Sequence, residues 1–264
     1  MPIQPIIIDS VTRFGPEARG AVVAGGSHAG RYAATLCARA GVAAVLLNDA
    51  GFGLDQAGIA GLELLQSLGM PAAAVSHRTA RIGHGGDTAT CGVISSLNDA
   101  ARGCGLREGM TGAEALALLS VGLPPCPAPP PASESRHNLP GCIAIDSASL
   151  LTAEDIGAIA LIGSHGGLLG GRAETAAKFP VFAALYNDAD GGLGGAGHTR
   201  LPALEARGIA AGTVSAWTAH IGDGMSCWQG GVVSALNPTA RRLGARLGDS
   251  AQGFVAVMRQ ARGG

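Results

Sequence analysis

The chain has 264 residues, of which 47% are apolar and 14% charged, and its formal net charge is −1. With no Lys/Arg cluster and only 3% aromatic residues, it lacks the basic stripe or stacking platform that a nucleic-acid surface needs. Gly, Ser, His or Asp interrupts every apolar run before it reaches about 18 residues, so no membrane span is expected.

In chain order, Pro5–Ser10 reads as a buried strand, an apolar run closed by Asp9-Ser10. Arg13–Arg19 is a short connection, and Ala21–Ala24 is a second strand that feeds the glycine-rich turn Gly26-Ser-His-Ala-Gly30. Tyr32–Ala40 has helical composition and Gly41 stops it. Val42–Leu47 is a third strand, followed by Asn48-Asp49 and a glycine-rich loop. Ile59–Leu68 is a helix, Pro71–Val75 a fourth strand, and Ser76 to Cys91 an irregular polar stretch. Val93, Leu97 and Ala101 fall in helical register, which predicts a helix over Val93–Arg102. Thr111–Leu119 predicts another.

The same order is then written again. Ile6-Ile-Ile-Asp-Ser10 returns 137 residues later as Ile143-Ala-Ile-Asp-Ser147, and Gly26-Ser-His returns as Gly163-Ser-His-Gly-Gly167. After a two-residue insertion the shift becomes 139. It then pairs Asn48-Asp49 with Asn187-Asp188, Val75-Ser76 with Val214-Ser215, Ser95 with Ser234 and Asn98 with Asn237. A period this long marks a duplicated half-domain rather than a solenoid repeat. The expected fold is therefore α/β: two tandem similar halves with mainly parallel sheets, related by a pseudo-twofold axis. The expected limits are 1–120 for the first repeat, 121–141 for a proline-rich linker and 142–264 for the second repeat.

Ligands of open α/β sheets bind beyond the carboxyl ends of the strands, and the matched polar residues fall there. His28 and His165 are candidate general bases, with Ser27 and Ser164 as hydroxyls that a histidine of the other copy would serve. The alternative role is capping and carbonyl binding. Asp49 and Asp188 are candidates to orient a histidine, act as base or hold a metal, or else to close an Asx-turn. Gly26, Gly30, Gly163, Gly166 and Gly167 would offer backbone N–H groups to an anion or oxyanion. Asn48, Asn187, Asn98 and Asn237 are candidate binding residues.

The halves diverge in the polar stretch, Ser76-His-Arg-Thr-Ala-Arg-Ile-Gly-His-Gly-Gly-Asp87 against Ser215-Ala-Trp-Thr-Ala-His-Ile-Gly-Asp-Gly-Met-Ser226. Arg81 would grip a substrate carboxylate and His220 would move a proton. Cys227 lies in a glycine-rich turn before a helix, where a thiol can be activated, but an inert thiol is the preferred reading.

No His-x-x-x-His, CxxC, Gly-x-Gly-x-x-Gly, Walker or Gly-x-Ser-x-Gly pattern is present where its chemistry would need it, so neither metal nor cofactor is expected. The start Met-Pro-Ile-Gln-Pro has no leader pattern, and a cytoplasmic location with reduced thiols is expected. So few charges suggest surface buried between copies, hence a homo-oligomer. The reading that follows is a small-molecule enzyme with its site between the halves. It would hydrolyse a small amide, lactone or cyclic imide with a histidine base and glycine-turn oxyanion donors. A lyase or isomerase moving a proton next to a carbonyl is one alternative. The other is a non-catalytic protein binding a small anion or serving as a structural subunit.

Overall fold

The computed structural model describes residues 4–120, 123–125 and 135–263. Most of the proline-rich segment, with Cys126, lies outside the described residues. The chain divides into two compact units. Unit 1 comprises Met1–Phe52, Gln56–Ala132 and Gly192–Gly194, and unit 2 comprises Gly53–Asp55, Ser133–Gly191 and Gly195–Gly264.

In unit 1 the elements are β1 (Ile6–Ile8), β2 (Val22–His28), α1 (Arg31–Arg39), β3 (Ala44–Asn48), α2 (Gly61–Ser67), β4 (Ala72–Val75), α3 (Gly85–Thr90), β5 (Ile94–Leu97), α4 (Asp99–Gly103) and α5 (Gly112–Leu119). Strands β1 to β5 lie side by side in sequence order. The first four are parallel and β5 is antiparallel to β4. Alternate strand residues enter different layers, as a pleat requires. Val23, Val45 and Leu47 pack in one cluster with Ala34, Leu62 and Leu65 of α1 and α2. Val22, Ala24 and Leu46 pack in the other with Leu116 and Leu119 of α5.

Unit 2 contains β6 (Arg136–Leu139), β7 (Cys142–Ile145), β8 (Ile159–His165), β9 (Ala183–Asn187), α6 (Arg200–Glu205), β10 (Ala210–Val214), α7 (Gly224–Gly230), β11 (Val233–Leu236), α8 (Pro238–Arg242) and α9 (Ala251–Gly263). Its six-stranded sheet runs β11-β10-β9-β8-β7-β6. Strands β7 to β10 are parallel, and β11 and β6 are antiparallel edges. Phe254 and Met258 of α9 cover one face, and Leu201 and Leu204 of α6 the other. Both sheets are thus mixed and mostly parallel.

Several local expectations change. Val93–Arg102 is not one helix. Ile94-Ser-Ser-Leu97 forms β5, with its two ends buried, and Asn98 then caps the short α4 by accepting from the Ala101 N–H. A four-residue apolar spacing fits both structures over so short a span. Part of the expected linker, Arg136–Leu139, is an antiparallel strand on β7. Within the polar stretch Gly85–Thr90 is the helix α3, matched by α7. After β8 no α-helix follows; Leu169–Gly171 and Ala173–Ala176 form 3₁₀ turns instead. Gly170 and Gly171 stand there at φ of 60° and 70°, outside helical space.

The Gly-Ser-His triplets are strand ends rather than turns. Their first glycine is required by a crossing backbone. The Gly83 N–H donates to the Gly26 carbonyl at 2.7 Å, and the Gly222 N–H donates to the Gly163 carbonyl at 2.7 Å. A methyl group on Gly26 would collide with the His84 nitrogen, and one on Gly163 with the Asp223 nitrogen. Main chain cannot swing aside as a flexible side chain can. Gly163→Ala is therefore expected to lower the unfolding free energy by about 1–3 kcal/mol. Gly86→Ala, on α3 with open space around it, should be neutral or stabilising by up to about 1 kcal/mol. Urea unfolding of the two variants checks the pair, and equal effects would refute the crossing argument.

Candidate functional site

Strand pairing places His28 beside Asn48 in unit 1 and His165 beside Asn187 in unit 2. These residues lie at the carboxyl ends of the central parallel strands, so each unit gathers its own polar set there.

Much of that set is occupied in holding the fold. Ser27 Oγ accepts from the Val11 N–H at 3.1 Å, and Ser164 Oγ accepts from the Ala148 N–H at 3.0 Å. Each hydroxyl thus satisfies the start of the 3₁₀ turn that follows the unit's first parallel strand. His28 Nδ1 accepts from the Gly30 N–H at 3.1 Å, and His165 Nδ1 accepts from the Gly167 N–H at 3.2 Å. The Gly166 N–H donates to the Asn187 carbonyl at 2.8 Å. The amides of Gly30, Gly166 and Gly167 are therefore engaged inside the protein and are not presented to an oxyanion.

The asparagines are equally committed. Asn48 Oδ1 accepts from the Ala50 N–H and its Nδ2 donates to the Ala80 carbonyl, both at 2.9 Å. Asn187 repeats this with Ala189 and Ala219. Ala50 and Ala189 both sit at φ of 49°. That left-handed conformation costs about 1–2 kcal/mol for a residue with a Cβ, and the asparagine hydrogen bond offsets about 0.5–1.5 kcal/mol of it. Asn98 and Asn237 cap α4 and α8 and also bind backbone groups at the amino ends of β4 and β10, away from the carboxyl ends. Arg81 grips Asp87 with two bonds of 2.6 and 2.9 Å, and this pairing holds the Asp87 carboxyl below the usual range. In unit 2, His220 Nε2 lies 2.8 Å from Asp55 Oδ2, and its backbone N–H donates to Ser226 Oγ. Burial pushes the Cys227 thiol up to about 12, so it is no nucleophile near neutral pH.

What remains is a cluster the repeat does not predict. Asp49 is buried, 1% exposed. Its Oδ1 accepts from the Gly51 N–H at 3.0 Å and the His77 N–H at 2.9 Å, and lies 2.8 Å from His77 Nδ1. Its Oδ2 accepts from Ser95 Oγ at 2.7 Å. Burial alone would raise the Asp49 carboxyl, but these bonds, the His77 ring first, outweigh it and hold the group below its ordinary value. The result is a buried carboxylate bonded to a buried imidazole, with the carboxylate fixed from three other directions.

Unit 2 keeps the frame and loses the histidine. Asp188 Oδ1 accepts from the Asp190 N–H at 2.9 Å and the Ala216 N–H at 2.8 Å, and Ala216 stands where unit 1 has His77. The polar stretch carries the signal for this cluster, since His77 faces alanine there.

Arg200 is a second buried polar group, one that the shared motifs do not include. It is 4% exposed and donates to the carbonyls of His165, Thr175 and Ala176. Its guanidinium lies 5.1 Å from the centre of the Tyr186 ring. Burial pushes its pKa down, though the Tyr186 contact partly compensates. The residue ties the 3₁₀ turn Ala173–Ala176 to the end of β8.

No cluster of three or more His, Cys, Asp or Glu suited to a metal ion occurs among the described residues. No helix among them is long and apolar enough to cross a membrane. No family model matches the chain, and neither a curated protein nor a solved structure matches it significantly.

Burial pushes His28 down from 6.5 to about 4. Between those values the unfolded chain binds the proton and the folded chain does not, so stability falls as pH drops from 6.5 to 4 and levels off below. At pH 4.5 this single group costs about 2–3 kcal/mol relative to pH 7. His28→Asn keeps an acceptor for the Gly30 N–H and removes the titration. Urea unfolding at pH 7 and pH 4.5 should show that much less acid sensitivity in the variant than in the parent; equal sensitivity would contradict the assignment.

Proposed function

We propose that the chain is a duplicated α/β enzyme in which His77 is a general base and Asp49 orients it, acting on a small polar or anionic molecule. The observation that carries this reading is the 2.8 Å contact between His77 Nδ1 and a carboxylate held by three other donors. An imidazole that donates its Nδ1–H to a carboxylate can accept a proton at Nε2, and the carboxylate then offsets the charge it gains. In hydrolysis of a small amide, lactone or cyclic imide, water would give its proton to Nε2 as its oxygen attacks the carbonyl. The same proton would then pass to the departing nitrogen or oxygen.

A second reading, abstraction of a proton next to a carbonyl by a lyase or isomerase, uses the same pair. The internal bonding of the Gly30, Gly166 and Gly167 amides favours it, because that chemistry does not depend on those donors. A histidine with one nitrogen on a buried carboxylate is a weaker fit to the non-catalytic reading, in which a base has no task. The low charge content supports a homo-oligomer.

The test is a panel of p-nitrophenyl acetate, a small lactone, a cyclic imide and solvent deuterium exchange next to the carbonyl of a small keto acid. His77→Gln is expected to reduce whichever activity the parent shows by about 10²–10⁴-fold. His28→Asn should leave that activity within a few-fold of the parent. A His77→Gln protein as active as the parent would end the base assignment.

A further inference from the structure

The two units finish the same hydrogen-bond chain differently. In unit 1, Ser95 Oγ donates to Asp49 at 2.7 Å and Asp49 meets His77 Nδ1 at 2.8 Å. In unit 2, Ser234 Oγ lies 3.0 Å from Thr213 Oγ1, which lies 3.2 Å from His198 Nδ1. Three exchanges make the difference. Ala216 replaces His77, Thr213 replaces Ala74, and His198 replaces Ile59. Ser95 and Ser234 are equivalent, yet Ser234 meets the Thr213 hydroxyl, where Ala74 has no side-chain hydroxyl and only its carbonyl accepts from Ser95, at a longer 3.3 Å. A hydroxyl carries no charge to set against an imidazolium, whereas a carboxylate does.

The backbone of the exchanged position has not moved. The Ala216 N–H donates to Asp188 Oδ1 at 2.8 Å, as the His77 N–H donates to Asp49 Oδ1 at 2.9 Å. Within unit 1 the His77 carbonyl accepts from the Leu193 N–H at 2.7 Å, and within unit 2 the Ala216 carbonyl accepts from the Leu54 N–H at 2.8 Å. A glycine adjoins each position: Gly192 beside His77 and Gly53 beside Ala216.

We infer that the proton transfer proposed for His77 has no counterpart at the equivalent position of unit 2, which retains the histidine seat with its carboxylate in place. Ala216→His then suffices to restore a His–Asp pair on Asp188. The assignment of chemistry to unit 1 rests on the function proposed above; the seat rests on geometry. Ser95 is a positioning residue for Asp49.

The full-length protein, labelled with ¹⁵N-histidine, provides the test. The parent should show an exchange-protected imidazole N–H that is lost in His77→Gln. Ala216→His should add one further protected imidazole N–H, which is lost again when Asp188→Asn is added. An Ala216→His protein that folds without the added signal overturns the seat. So does one that fails to fold while Ala216→Ser folds, since His77 stands on the same backbone path. Turnover separates the two claims. A fully active His77→Gln would remove the base while the added signal still stood, and a missing signal would remove the seat without touching the base.

Discussion

The hold that Asn48 and Asp49 exert on the backbone around them is the constraint on which the strand ends depend. Two adjacent polar side chains at the end of β3 bind the next turn, through the N–H groups of Ala50 and Gly51. They also bind the segment after β4, through the His77 N–H and the Ala80 carbonyl. Asn187 and Asp188 do the same for Ala189, Asp190, Ala216 and Ala219. Without these bonds the left-handed Ala50 and Ala189 would have no offset for their strain, and the loops after β4 and β10 would lose their anchor. A buried carboxylate is costly unless donors surround it, and here the donors are the backbone it organises.

The general architecture was legible because it depends on burial. Runs such as Val42–Leu47 and Ala158–Ile162 have no polar face, which fits strands covered on both sides, and the connections between them are long enough for crossovers to parallel neighbours. What the pattern could not decide lay where two structures share one spacing. Val93, Leu97 and Ala101 suit a helix, but Ile94 and Leu97 also suit the ends of a short edge strand capped by Asn98. Nor did composition reveal that the stretch after Gly167 would settle into 3₁₀ turns held by a buried Arg200; that depends on three carbonyls distant in sequence.

The candidate site was half legible. Asp49 was read as a residue that could orient a histidine, and the structure places one against it. The histidine chosen from the sequence was a different one. His28 and His165 drew notice because they recur, but both ring Nδ1 atoms accept from a nearby glycine amide, and burial favours the neutral form of His28. Arg81 suits an anion by residue type, but Asp87, six residues on, accepts from its Nε and Nη2 along one edge of the guanidinium. Local pairing of this kind leaves no trace in a residue-type pattern.

A feature that recurs at equivalent places must satisfy the fold twice, and the serine, histidine and asparagine bonds of unit 1 have counterparts in unit 2 at nearly the same distances. Recurrence is therefore the mark of scaffold here. Chemistry needs asymmetry, because a base, its orienting group and the place for a substrate are not interchangeable. The exchange of His77 for Ala216, on a backbone held by the same carboxylate oxygen, alters a functional group while leaving its support intact. The frame of unit 2 does not depend on the imidazole at all: Asp188 keeps its two backbone donors with alanine in that position. The residue that differs between the copies, not the motif they share, is thus where the physical argument for function comes to rest.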